Sequence, residues 1–470
     1  MALFFKPSDG WAGDFIPFYW QGDYHLFYLK DYRNADTNGQ GTPWFHLVTR
    51  DFVNFEDWGE AIPRGPEESH DLWIYTGCVM EHNGIFHIFY TGHNKNYLKI
   101  GKPQQVILHA TSPDLRTWHK DPDFSIFAPV EQGYEFNDWR DPFVFWSEED
   151  QAWLMLLAAR KSSGPDRNRG LVACLTSPDL QKWSITTPFW EPDLYFTHEC
   201  PDVFKIREWW YLVWSEFSDR KVTRYRMSRS LKGPWLKPAD DAFDTRAFYA
   251  AKTGSDGQRR FAFGWLASRQ GETDTGEWQW GGDLVVHEIT PRPDGTLAVR
   301  VPETVLEQFN RPIELVPQPV LGTWQSEDSC LVTSAEARFS ALLLADMPGE
   351  CLVEATVQFS PGTAACGVLL RASGELNQYY QVRLEPAAQR IVVDLWPRPG
   401  DKPFVFERPL ALQPDRPVRL RCLTSGTNLV VYVDDETALS CRMYDHPAGS
   451  AGLFAIEGTV QFSQLAVRAI

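Results

Sequence analysis

TSPDLRTW at 111–118 and TSPDLQKW at 176–183 are nearly the same eight residues written twice. Two looser copies flank them: TRDFVNF at 49–55 and SRSLKGPW at 228–235 keep a polar pair, a turn-prone centre and a closing aromatic. The four copies start at residues 49, 111, 176 and 228, so the repeating unit is roughly 50–65 residues long. Before each copy stands an aromatic-rich run: YHLFYLKD at 24–31, IFHIFYTGH at 85–93, AWLMLLAAR at 152–160 and WWYLVWSEF at 209–217. A fifth run, RRFAFGWLASR at 259–269, precedes DLVVHEIT at 283–290. Runs that alternate or stay apolar for this length, bounded by Gly, Asp, Asn and Pro, read as strands. A unit of this size with about four strands is one blade of a β-propeller, whose radial repetition protects strand edges. Five such units fit residues 1–305.

Past residue 305 the rhythm is lost. The Pro-bearing stretch 306–322 reads as a linker. From 323 to 470, runs such as CLVEATVQFS, YYQVRLEP and VRLRCLTSGTNLVVYVDD alternate, with turn signals every 8–14 residues, as in an antiparallel sandwich. The expected fold is all-β: a five-bladed β-propeller followed by a C-terminal β-sandwich.

Composition narrows the function. The 470 residues carry 45 Lys+Arg against 62 Asp+Glu, a net charge of −17, and no basic run, which argues against a nucleic-acid partner. No stretch approaches the roughly 18 apolar residues of a membrane span. MALFFKPSDG has too short an apolar run for a signal peptide, so the expected location is cytoplasmic. The eight cysteines are scattered without a C-x-x-C pair, so neither a metal site nor a disulfide framework is expected. Oligomeric state is not legible. The 20 tryptophans suit both strands and flat sugar-binding surfaces.

In a propeller the first strand of each blade lines a central cavity. The segments in that position are GWAGDFIPFYW at 10–20, DLWIYTGCVM at 71–80, NDWRDPFVFW at 137–146 and FTHECPDVFKI at 196–206. Three of them hold a carboxylate inside an apolar run: Asp14, Asp141 and Glu199. A buried ionised carboxylate is costly unless paired or used, which makes these positions suspect. Two carboxyl groups across a glycosidic bond are the minimum apparatus for cleaving it, and a third can steady positive charge on the sugar. Arg140 beside Asp141 predicts a lowered pKa for that aspartate. Glu199, among Phe, Cys and Pro, is the predicted carboxyl raised by desolvation, hence the acid. Cys200 reads as a small buried neighbour. Among the tryptophans, Trp73 and Trp280 are the expected sugar platforms.

Taken in order, Asp14 before FIPFYWQGDYHLFYL, the Arg140-Asp141-Pro142 triplet, Glu199-Cys200-Pro201-Asp202, and FAFGWLASR followed by GGDLVVHEITPRPDGTL resemble glycoside hydrolase family 32, the invertase, inulinase and levanase family. The resemblance spans nearly the whole chain. It implies the same propeller-plus-sandwich fold and retaining cleavage of terminal β-fructofuranosyl units from oligosaccharides such as sucrose and fructans, without metal or organic cofactor. Carried over, Asp14 would be the nucleophile, Asp141 the transition-state stabiliser and Glu199 the acid/base. Arg140, Trp73, Trp280, Thr76 and His93 are the expected substrate-binding residues. The family's first-blade motif, Trp-Met-Asn-Asp-Pro-Asn-Gly, is replaced by Trp11-Ala12-Gly13-Asp14-Phe15-Ile16, and Leu29 with Lys30-Asp31 stands where the family often has Gln, so the sugar pocket's walls are altered. Two rivals stay open: an inverting arabinofuranosidase or xylosidase like those of family 43, and a carbohydrate-binding propeller without catalysis.

Overall fold

In the computed structural model, which describes residues 3–327, 329–401 and 406–470, the repeated octapeptides form the turn between the third and fourth strands of a blade. Asp114 accepts the backbone N–H groups of Arg116 and Thr117, and Asp179 those of Gln181 and Lys182. Trp118 and Trp183 each donate their indole N–H to the carbonyl three residues back. Asp51 captures Val53 and Asn54 in the same way in TRDFVNF. Short polar side chains that bond their own downstream backbone make such turns locally encoded, which is why the repeat shows in the sequence.

Five antiparallel blades follow in order. Their first strands are Trp11–Trp20, Trp73–His82, Tyr134–Ser147, Glu199–Ile206 and Phe248–Ser255. The second strands are Asp23–Asp31, Ile85–His93, Ala152–Lys161, Trp209–Glu216 and Arg260–Arg269. The hairpins at Gln21-Gly22 and Asn83-Gly84 take positive φ at both turn residues, the conformation whose twist matches the flanking strands. Second strands run continuously apolar, as in Ala152–Lys161, because neighbouring blades cover both faces. Phe89 and Ile107 of blade two thus share a core with Trp139, Leu157 and Ala173 of blade three. The first strand of every blade touches the first strand of the next, and that of blade five touches that of blade one, which closes the ring.

The chain divides into two compact units. The first comprises 1–242, 248–265 and 280–297; the second comprises 243–247, 266–279 and 298–470. In the second, an eight-stranded and a seven-stranded antiparallel sheet form the sandwich. Its strands alternate between buried and part-exposed, as in Glu350–Phe359, because each sheet covers one face only. Residues 306–322, expected as a linker, carry two short strands of these sheets. Arg311–Pro312 pairs with Thr459–Ala469, and Gln318–Leu321 with Phe339–Asp346. Among the described residues no helix is long and apolar enough to cross a membrane.

Candidate active site

Side chains alternate along a regular strand, so consecutive residues cannot share a face. The first strands break that rule where they meet the central pocket. In blade one the register slips between Gly13 and Ile16, in blade two between Tyr75 and Gly77, and in blade four between Glu199 and Asp202. In blade three Leu156 pairs with Phe143 and Ala158 with Arg140, leaving Asp141 and Pro142 opposite Leu157. Such bulges kink the strand and re-aim its side chains. Asp14, Asp141, Cys200 and Ala250 all take φ between 50° and 60°, a region non-glycine residues rarely enter. Adjacent residues thereby face the same pocket: Arg140 with Asp141, Glu199 with Cys200, and Tyr249 with Ala250.

The pocket has a volume of about 560 Å³, within the range of small-molecule sites, and holds all three carboxylates. Asp14 lies on its floor with both oxygens engaged: Thr76 Oγ1 donates to Oδ2 at 2.6 Å and Trp265 Nε1 to Oδ1 at 3.0 Å. Burial, with a smaller push from Asp141 and Glu199, raises its pKa to about 7 against the pull of those two donors. Asp141 accepts the Cys200 N–H at 2.9 Å. The Arg140 guanidinium donates through Nη2 to Glu199 Oε1 at 3.1 Å and to Thr197 at 3.3 Å, and it also pairs with Asp138. Burial opposes the charge of Arg140, yet Asp138, Glu199 and Asp141 around it win and hold its pKa well above the usual value. Tyr249 donates its hydroxyl to Glu199 Oε2 at 2.5 Å.

Of the residues singled out in the sequence, Asp14, Asp141, Glu199, Arg140, Trp73 and Trp280 converge on this pocket. Thr76 and His93 do not line it. Thr76 is fully buried beneath Asp14 and holds that carboxylate rather than a sugar. His93 stacks behind Tyr75, with ring centroids 4.3 Å apart, and burial drives its pKa down to about 3, so it backs the wall as a neutral ring. The expected acidity of Asp141 is also corrected. Asp141 is raised, because burial outweighs an Arg140 whose Nε lies 3.7 Å away and whose fork is spent on Asp138 and Glu199. Desolvation lifts the Asp14 carboxyl to about 7.

Several pocket residues escaped sequence reading. Tyr249 belongs to the first strand of blade five, FYAAKTGS, whose small residues hide it between louder aromatic runs. Tyr75, Tyr32, Arg33, Asn34 and Lys95 also line the walls, with Lys95 resting 4.9 Å over the Trp73 ring, whereas Leu29 and Asp31, which the altered first-strand motif points to, line the pocket as that reading expects. Gly13 has a steric reason. A Cβ there would stand 2.5 Å from the Trp280 ring, so the indole fills the space that a side chain at position 13 would occupy.

Residues 4–292 match the family model described as glycosyl hydrolases family 32 N-terminal domain. The chain is 26% identical over 364 residues to a levanbiose-producing levanase of Bacillus subtilis (strain 168), covering 70% of this chain and 63% of that protein. It is 26% identical over 318 residues to an insoluble isoenzyme of beta-fructofuranosidase from Arabidopsis thaliana, covering 60% and 55% respectively. The chain thus spans less than two thirds of the length of either relative. Among solved structures, fructan 1-exohydrolase IIa from Cichorium intybus shares the fold with a TM-score of 0.73 at 18% identity, over 99% of this chain and 96% of that one. Sucrose-6-phosphate hydrolase from Lactobacillus gasseri does so with a TM-score of 0.76 at 16% identity, over 100% and 93%.

Proposed function

Because the chain belongs to glycosyl hydrolase family 32, we propose that it hydrolyses terminal β-fructofuranosyl units from short fructose-containing oligosaccharides with retention of configuration. The observation that carries this reading is the meeting of Asp14, Asp141 and Glu199, from three different blades, on one pocket. The names of the relatives, levanase and beta-fructofuranosidase, support the same substrate class.

In the first step, Glu199 gives its proton to the glycosidic oxygen while an Asp14 oxygen bonds to the anomeric carbon, and the carbon–oxygen bond to the leaving alcohol breaks. Trp265 and Thr76 already donate to the two Asp14 oxygens, so the carboxylate is aimed before substrate arrives. Asp141, fixed by the Cys200 N–H, faces the positive charge that develops on the ring. In the second step, Glu199 takes a proton from water, the water oxygen bonds to the anomeric carbon, and Asp14 leaves as carboxylate. A sugar hydroxyl in place of that water gives fructosyl transfer from the same intermediate.

Incubation with sucrose and with inulin-type and levan-type oligosaccharides, the anomer of freed fructose being read by NMR immediately after mixing, tests the proposal. Release of β-fructose, abolished in Glu199→Gln, is the expected result. First release of the α anomer would point instead to inversion, and binding without release by the wild type to a carbohydrate-binding role.

A further inference from the structure

The bulges that aim the carboxylates also strip backbone groups of their ladder partners, and buried groups of that kind need replacements. One hydroxyl supplies two of them. Thr91, on the second strand of blade two, is fully buried and does not line the pocket. Its Oγ1 accepts the N–H of Asp141 at 2.8 Å and donates to the carbonyl of Thr76 at 2.9 Å. Thr76 is the residue its own ladder skips, since Tyr75 pairs with Thr91 and Gly77 with Tyr90. Thr76 in turn holds Asp14 through its hydroxyl and lies 3.8 Å from the Cys200 thiol, while the Cys200 N–H holds the Asp141 carboxylate. The circuit therefore runs from Asp14 through Thr76, Thr91, Asp141 and Cys200 back to Thr76.

We propose that Thr91 is a positioning residue that sets the mutual placement of Asp14 and Asp141 by tying the bulge of blade two to that of blade three. The inference rests on the functional reading above. Only a side chain that donates and accepts at once can serve both backbone groups, and only from this depth. Serine keeps both bonds; valine keeps the shape and loses both.

The test is steady-state kinetics of fructose release by Thr91→Val and Thr91→Ser, with thermal melts of each. Thr91→Val is expected to lose about 10- to 100-fold in kcat with KM changed less than about threefold, because the carboxylates shift while the sugar walls stay. Thr91→Ser is expected to stay within about threefold of wild type. Wild-type kcat in Thr91→Val overturns the proposal. So does a Thr91→Ser as slow as Thr91→Val, which would assign the effect to the methyl group. Should the valine variant not fold, Thr91→Ala must show the same split between kcat and KM, and an alanine variant at wild-type kcat is fatal. A wild type that frees no fructose defeats the functional reading before Thr91 is touched; an active wild type matched by Thr91→Val defeats this inference alone.

Discussion

Replacing Asp14 by asparagine should both silence the protein and stabilise it, and the stabilisation should depend on pH. Folding raises the Asp14 pKa from 3.8 to about 7. A shift of roughly three units at 1.36 kcal/mol each amounts to about 4 kcal/mol working against the folded state once the group is ionised. Asp14 is only part-buried where it lines the pocket, and solvent screening there reduces the penalty, so about 1–3 kcal/mol is the expected effect. The folded state keeps a proton that the unfolded chain gives up near pH 4. The contribution is therefore intact below about pH 4, is lost as pH rises, and is fully lost above about pH 7. Asparagine cannot ionise, and its carbonyl still accepts from Trp265 while its amide turns to Thr76. Asp14→Asn should therefore melt a few degrees above wild type at pH 8, and the gap should close on titration to pH 4. Scanning fluorimetry of both proteins across that range checks it. An advantage that stays constant with pH, or an asparagine variant no more stable than wild type at pH 8, would mean that burial of an ionised carboxylate is not the cause.

Three further expectations follow from the same geometry. Trp265→Phe removes the donor to Asp14 Oδ1, which favours the ionised form, so the Asp14 pKa rises and the acid limb of kcat/KM moves to higher pH; an unmoved limb counts against Asp14 as nucleophile. Gly13→Ala places a Cβ 2.5 Å from Trp280, which must move, so KM for a fructo-oligosaccharide should rise by about tenfold, measurable by initial rates, with a smaller change in kcat. Arg140→Lys cannot reach Asp138, Glu199 and Thr197 at once, so kcat/KM should fall by about 10²–10³-fold; retention within about fivefold would show that charge alone suffices at this position.

What could be read from the sequence was what local chemistry encodes. The SPDL turns announce themselves because Asp114 and Asp179 bond backbone groups two and three residues on. From their spacing the five-bladed ring follows, and from the ring the meeting of Asp14, Asp141 and Glu199. What was missed is non-local. Trp265 reaches Asp14 across 251 positions in the chain, and Thr91 reaches Asp141 across 50. No pattern within one strand signals such a partner. The misread acidity of Asp141 has the same origin: Arg140 was credited to its sequence neighbour Asp141, while its fork lies nearer to Asp138 and Glu199. Burial, which dominates Asp14 and Asp141, exists only after the blades close.

The strained backbone at the pocket separates what the fold requires from what the chemistry adds. A non-glycine residue at positive φ costs on the order of 1–2 kcal/mol. Strain at an active site invites the inference that catalysis demanded it. Ala250 argues otherwise, because it takes the same conformation as Asp14, Asp141 and Cys200 and offers only a methyl group. The kink recurs in the first strands of blades one, three, four and five whether or not the residue reacts, while blade two has the register slip without positive φ, so reactivity is not what places it. Chemistry enters through the choice of side chain at an existing kink: a carboxylate in blades one and three, a glutamate just before the kink in blade four, a tyrosine just before it in blade five. This accounts for pocket residues that arrive as adjacent pairs, which strand alternation forbids. It also directs the search for further pocket residues in such chains: the neighbour on either side of a first-strand carboxylate, and the corresponding pair in any blade that has none.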